Sequence, residues 1–202
     1  MVRVLTLGDG DFSFSADLME ICSAGTGPRL ELIATGFDSA ATLKARYPAA
    51  ATHLARLVSR GASVRHDTDA TQPPPELAAG GFDHVIFNHP HLGVEDARLH
   101  GYLLSHAFAA MAALLRPGGR IHLTLVGGQC ERWEAVRRAS GAGLAVVRFS
   151  PFPSADLGRF SRRRTLALPA IKCRTPTPIF LTFFPYCIFP GNNVAHNFRR
   201  EI

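Results

Sequence analysis

Apolar positions in the first 150 residues of this 202-residue chain fall into two alternating kinds of run. Short runs rich in strand-forming residues lie at 2–7, 30–37 (LELIATGF), 62–66 (ASVRH), 82–88 (FDHVIFN), 121–126 (IHLTLV) and 144–149 (LAVVRF). Between them the apolar spacing lengthens to three or four residues, which predicts helices over about 13–24, 40–60, 97–115 and 133–141. Pro48 divides the second of these, because its ring lacks the N–H that would continue the ladder, and Gly61 ends it. The helix at 97–115 presents Leu99, Leu103, His106, Phe108, Met111, Leu114 and Leu115, and Arg116-Pro117-Gly118-Gly119 is its expected stop. FDHVIFN is almost continuously apolar at its centre, as in a strand covered on both faces. Strand and helix alternating at these lengths predict an α/β fold with a doubly wound, mostly parallel, Rossmann-like sheet.

Past Thr165 the pattern stops. The remaining residues hold five prolines, show no helical period and centre on the aromatic run IFLTFFPYCIF. That run reads either as an edge strand on the domain or as sequence never selected to fold, and the second reading is favoured. The expected organisation is therefore a domain over 1–165 and a divergent, Pro/aromatic-rich basic tail over 166–202.

Composition narrows the class further. A hydrophobic fraction of 47% and a charged fraction of 19% suit a globular chain with a real core. There is no apolar run of membrane-spanning length, and a strand beginning almost at Met1 leaves no room for a signal peptide. Cys22, Cys130, Cys173 and Cys187 are scattered without CxxC spacing, which argues against a zinc site and for a reducing compartment. The expectation is an intracellular protein with no membrane and no metal. The formal charge of +6 is unevenly placed: residues 159–202 carry eight Arg and Lys against Glu201 alone, while the rest is close to neutral. A basic end of this kind binds phosphate backbones or is simply solvated.

Candidate chemistry sits just beyond the predicted strands, where open α/β sheets bind ligands. After the first comes LTLGDGDFSFS, a strand running through Gly8-Asp9-Gly10-Asp11 into a helix. Gly8 permits the tight turn, Gly10 lets a ligand approach the backbone, and Ser13 or Ser15 is placed to cap the helix. Asp38 follows the second strand and suits ribose hydroxyls or a helix cap. Asp69 follows the third and suits an adenine edge or an Asx turn. Asn88-His89-Pro90-His91 closes the fourth strand and is the least ordinary element, since buried polar groups there usually serve a reacting group.

Taken together, LTLGDGDFSFS, the FDS at 37–39, DAT at 69–71, FDHVIFNHPHLG, LLRPGGRIHLTL and FSRRRT resemble the 25S ribosomal RNA uridine-N3 methyltransferase family over roughly residues 1–165. The resemblance implies a Rossmann-like fold of the class-I methyltransferase type, S-adenosyl-L-methionine as cofactor and a ribosomal RNA uridine as substrate. By the same resemblance Gly8 and Gly10 lie against the methionine moiety, with Asp9 near its amino group, Asp38 on the ribose and Asp69 on the adenine amine. Asn88, His89, Pro90 and His91 then occupy the place of the Asn/Asp-Pro-Pro-aromatic motif of amino-directed methyltransferases, with His in place of the first Pro and of the aromatic. A neutral His89 or His91 suits removal of the N3 proton, or stacking on a flipped uracil, and the Asn88 amide suits a uracil carbonyl. Arg162, Arg163 and Arg164 match a basic RNA-binding element of the family, which also implies a nucleolar, nuclear or cytoplasmic setting. Two other readings are an NAD(P)-dependent oxidoreductase, weakened by Ser13 in place of the third glycine of GxGxxG, and a non-catalytic cofactor- or RNA-binding relative.

Overall fold

Residues 1–24, 28–78, 81–151 and 179–185 are described by a computed structural model. Their strands are β1 (Val2–Leu7), β2 (Leu30–Thr35), β3 (Ser63–Arg65), β4 (Phe82–Asn88), β5 (Leu115–Leu125), β6 (Leu144–Pro151) and β7 (Ile179–Pro185). The helices are α1 (Ser13–Ala24), α2 (Ala40–Arg46), α3 (Ala50–Ser59), α4 (Pro75–Ala78), α5 (Ala97–Leu114), α6 (Gln129–Arg132) and α7 (Ala135–Gly141). One sheet takes the order β3-β2-β1-β4-β5-β7-β6. The first five strands pair in parallel, and β7 runs antiparallel to both β5 and β6. An antiparallel strand inserted there departs from the 3-2-1-4-5-6 order of dinucleotide-binding sheets.

The period-two alternation of the strands explains why both faces are covered. Leu5, Leu7, Val85, Phe87, Ile121, Leu123 and Leu125 point to one side, where Leu104, Phe108, Met111 and Leu114 of α5 meet them together with Trp133 and Ala139. Val4, Leu32, Ala34 and Ile86 point to the other, beneath Phe14 and Met19 of α1, Leu43 of α2 and Leu57 of α3. Fully burying a side chain such as Phe108 or Leu57 stabilises the fold by roughly 1.5–3 kcal/mol.

Several expectations are corrected. The buried stripe of α5 is Leu104, Ala107, Phe108, Met111 and Leu114, whereas Leu99 and His106 face solvent. A helix rich in apolar residues all round has no strong intrinsic phase, so contact with the sheet chooses the face. The helix stops at Leu114, and the strand expected at 121–126 starts earlier, since β5 takes in Arg116-Pro117-Gly118-Gly119 and begins at Leu115. Leu115 pairs with Phe82 and Arg120 with His84, so the residues between bulge out of the ladder. Gly119 is needed there, because a Cβ would lie 2.6 Å from the Phe82 carbonyl oxygen. The helix expected at 133–141 is α7, starting at Ala135, and the short α6 precedes it. Finally, residues 179–185 are not part of an unfolded tail, and they are not at an edge. They fill the gap between β5 and β6, with Leu181 fully buried against Leu123. Ladder hydrogen bonds on both sides recruit a segment whose prolines hide its strand character. The rest of 166–202 lies outside the described residues.

Candidate cofactor and acceptor site

Two loops at the carboxyl edge of the sheet are built in different ways. The first follows β1. Gly8 takes φ +61°, and a Cβ on it would sit 2.9 Å from the Phe87 ring, so glycine alone fits. The chain then crosses to β2, where the Asp9 amide donates to the Thr35 carbonyl (3.0 Å). Asp9 Oδ2 accepts from the Ser15 amide at 2.8 Å, and Asp11 Oδ1 accepts from the Ser13 amide and hydroxyl at 3.1 and 2.6 Å. These carboxylates cap α1, not Ser13 or Ser15 as the sequence suggested. The two-glycine turn swings both acids onto the helix N-terminus, where orphan amides and the dipole favour negative charge. Ser15 is left to pair with Thr6 inside the sheet (2.7 Å).

Burial pushes the Asp9 carboxyl up to about 6, against the downward pull of its bonds to Ser15. The His53 ring of α3 holds the loop from outside through the Asp11 carbonyl (2.9 Å). Gly10 stays open, since a Cβ there would meet only the Tyr47 hydroxyl, at 3.7 Å. Gly36 is closed, since a Cβ would lie 3.0 Å from Phe12, a fully buried residue held at φ 62°. Neither Tyr47 nor Gly36 stands out in the sequence, because their partners are remote or of no special type.

Asp38, beyond β2, shares both carboxylate oxygens with the Arg46 guanidinium at 3.0 and 3.2 Å. The capping role weighed for it falls to Ser39, whose hydroxyl accepts from the Thr42 amide. Phe37 beside it is 70% exposed and forms an apolar rim. Asp69, beyond β3, makes an Asx turn: its Oδ1 accepts from the Thr71 amide and hydroxyl, both at 2.7 Å. Its other oxygen makes no hydrogen bond among the described residues.

The second loop follows β4. Asn88 lies opposite Thr124 of β5, and the buried Thr124 hydroxyl donates to Asn88 Oδ1 at 2.6 Å. The Thr124 carbonyl also accepts from the His89 amide (2.9 Å), holding His89 at φ 49°. The His91 Nδ1 accepts from the Gly93 amide at 2.8 Å, while its Nε2 faces Glu95 at 3.4 Å. Behind the loop stands His100 of α5, almost fully buried and stacked on Trp133 with ring centres 4.1 Å apart. Its Nε2 accepts from the Leu92 amide (3.2 Å), which leaves Nδ1 to donate to the Asp96 carbonyl (2.7 Å). Sequence reasoning missed Thr124, His100 and Trp133. A threonine in a strand and a histidine in a helix carry no local signal of what lies across the fold.

Strand order sets the sequence of these groups along the edge. Asp69, Asp38, Gly8–Gly10 and Asn88–His91 follow β3, β2, β1 and β4, which are neighbours in that order. An elongated ligand laid along the edge meets two acids, a glycine backbone and then the Asn-His-Pro-His loop. Arg162, Arg163 and Arg164 lie outside the described residues. Among the described residues no cluster of His, Cys, Asp and Glu suits a metal ion, and no helix is long and apolar enough to cross a membrane. An apolar groove of about 380 Å³, lined by Val4, Leu18, Ile86 and the hydrogen-bonded pair His84–His122, lies on a sheet face away from the loops.

The sequence model of the BMT5-like family, described as rRNA (uridine-N3-)-methyltransferase BTM5-like, matches residues 5–164. The ferredoxin-fold anticodon-binding domain-containing protein 1 homolog of Mus musculus is 33% identical over 165 residues, which are 74% of this chain and 26% of that protein. Heavy metal-associated isoprenylated plant protein 41 of Arabidopsis thaliana is 28% identical over 172 residues, 80% of this chain and 33% of that protein. The chain thus spans about a quarter to a third of the length of these relatives. Among solved structures, the 30S ribosomal A1408 methyltransferase from an uncultured bacterium superposes with a TM-score of 0.61 at 12% identity, covering 92% of this chain and 88% of that one. The sheet is therefore the Rossmann-like sheet of class-I methyltransferases. With the family match spanning most of its length, the chain belongs to the BMT5-like rRNA (uridine-N3-)-methyltransferase family.

Proposed function

We propose that this chain is an S-adenosylmethionine-dependent methyltransferase acting on N3 of a uridine in large-subunit ribosomal RNA. The observation that carries the reading is the order of groups along the carboxyl edge, which suits the adenosyl and methionyl parts of one cofactor followed by an acceptor base. Gly8 and Gly10 would hold the methionine part, with Asp9 supporting the turn, Asp38 the ribose hydroxyls and Asp69 the adenine amine. The fit is physical at Gly10, where the space beside the backbone is open as far as Tyr47, and at Asp69, whose second oxygen has no competing bond among the described residues. Asp38 must share its charge with Arg46, an exposed pair of small intrinsic worth.

The bound cofactor supplies an activated methyl group, so the protein's task is alignment and proton removal. Uridine N3 carries a proton that must leave as the N3–methyl bond forms. His89 or His91 would take that proton, His91 with Nδ1 bonded to the Gly93 amide and Nε2 facing Glu95, and Asn88 and Pro90 would frame the acceptor base. N3 is occupied in a base pair, so the target is single-stranded or flipped out. Arg162, Arg163 and Arg164 would add phosphate contacts, and the intracellular site of action follows the RNA.

The test is transfer of radiolabelled methyl from S-adenosylmethionine to deproteinised large-subunit rRNA, with nuclease digestion and mass spectrometry to identify the base. The expected product is 3-methyluridine, and Asp38→Ala should weaken cofactor binding about tenfold, as for a lost charge-assisted bond. Absence of cofactor binding by the full chain, or a methyl group on another base, overturns the reading.

A further inference from the structure

The Asn88 amide has two chemically opposite ends, and its carbonyl end is bonded to Thr124. Thr124 is fully buried in β5, directly opposite Asn88 in the ladder. Its single hydroxyl proton goes to Asn88 Oδ1 at 2.6 Å, so the amide carbonyl is turned toward β5. The Nδ2 end makes no hydrogen bond among the described residues, and Asn88 is only half-buried, at the carboxyl end of β4. The same threonine holds the next residue through its backbone, by accepting the His89 amide. One residue of β5 therefore orients both the amide and the backbone that carries the imidazole.

An amide NH2 seeks an acceptor, while an amide carbonyl seeks a donor. In uracil the target nitrogen lies between two carbonyl oxygens, whereas the corresponding positions of cytosine and adenine include an amino group. We propose that Thr124 is a positioning residue that locks Asn88 with its donor end to the cleft and so selects a base whose target nitrogen is flanked by carbonyls. The inference rests on the acceptor role proposed for Asn88. A wrong base leaves the donor facing an amino group, and such unpaired polar contacts discriminate strongly.

Thr124→Val keeps the shape and removes the hydroxyl, and Thr124→Ser restores it. Full-length variants are compared for S-adenosylmethionine affinity, thermal stability and binding of short oligouridine against oligocytidine in the presence of S-adenosylhomocysteine. The native protein should prefer oligouridine about tenfold, the size of one good base contact. Thr124→Val should bring that ratio close to one with cofactor affinity within twofold, and Thr124→Ser should recover most of it. An unchanged ratio in Thr124→Val, a Ser variant as impaired as the Val variant, or no preference in the native protein overturns the proposal. Methyl transfer mapped to a base other than uridine, with Thr124→Val still altering base preference, would overturn the uridine reading and sustain the role of Thr124.

Discussion

The loop after β1 and the loop after β4 do comparable work and are held by different means. The side chains of the first bond within it, Asp9 reaching six residues along the chain to Ser15 and Asp11 two to Ser13, while its backbone reaches Thr35 and His53. The second is tied across the fold: Asn88 bonds Thr124, 36 residues away, and Leu92 rests on a histidine that stacks on Trp133. Side-chain bonds between near neighbours make the helix-capping geometry of the first loop less dependent on packing elsewhere. Long-range bonding makes a loop's shape depend on the packing of β5, α5 and the α6–α7 turn.

The strongest way to break the first loop is Gly8→Ala. The left-handed φ of +61° and the Phe87 ring at 2.9 Å both oppose a methyl group. Together they should cost about 2–4 kcal/mol, with loss of S-adenosylmethionine binding. A chemical denaturation curve with a calorimetric titration reads both, and near-native values in each would show that the turn is less constrained than its geometry.

A smaller effect, confined to the second loop, is expected for His100→Leu. The Leu92 amide loses its partner and the Asp96 carbonyl one of two, in a part-buried setting, at about 1 kcal/mol. Cofactor affinity should stay within twofold while RNA base preference weakens. Equal loss of both properties would mean that the two loops are mechanically coupled after all.

The smallest effect concerns pH. Asp9 is raised to about 6 in the folded chain against a usual value near 3.8, so folding favours its protonated form. Its contribution is fully present below about pH 4 and is lost as pH rises through about 6. Asp9→Asn keeps an acceptor for the Ser15 amide and should stabilise the protein by about 1 kcal/mol at pH 7, with the gain vanishing near pH 4. His122 acts in the opposite sense. Burial holds it down at about 4, so its contribution is present above pH 6.5 and lost as pH falls toward 4. The Asp9→Asn difference, taken from thermal melts against pH, isolates the first from the second.

Much of this architecture is legible in the residues. Periodicity alone locates the strands β1 to β4 and β6 within a residue or two, because alternation between buried faces is a local property of the backbone. The glycine turn and its acids are equally legible, since Gly8, Asp9, Asp11, Ser13 and Ser15 are neighbours in the chain. Asn88 and the histidines beside it announce chemistry by type. What they bond to is not announced, because Thr124, His100 and Trp133 are ordinary residues until β5 and α5 pack beside them.

The same division holds at the level of the sheet. Short-range pattern alone specifies a doubly wound α/β domain, a glycine-bearing turn after its first strand and a polar loop after its fourth. That Ile179–Pro185 enters the sheet between β5 and β6 is settled by long-range pairing, since two open ladders outweigh a proline-rich, non-periodic sequence. The bond from the Thr124 hydroxyl to the Asn88 carbonyl is likewise visible only in the folded chain, because the two residues are 36 positions apart.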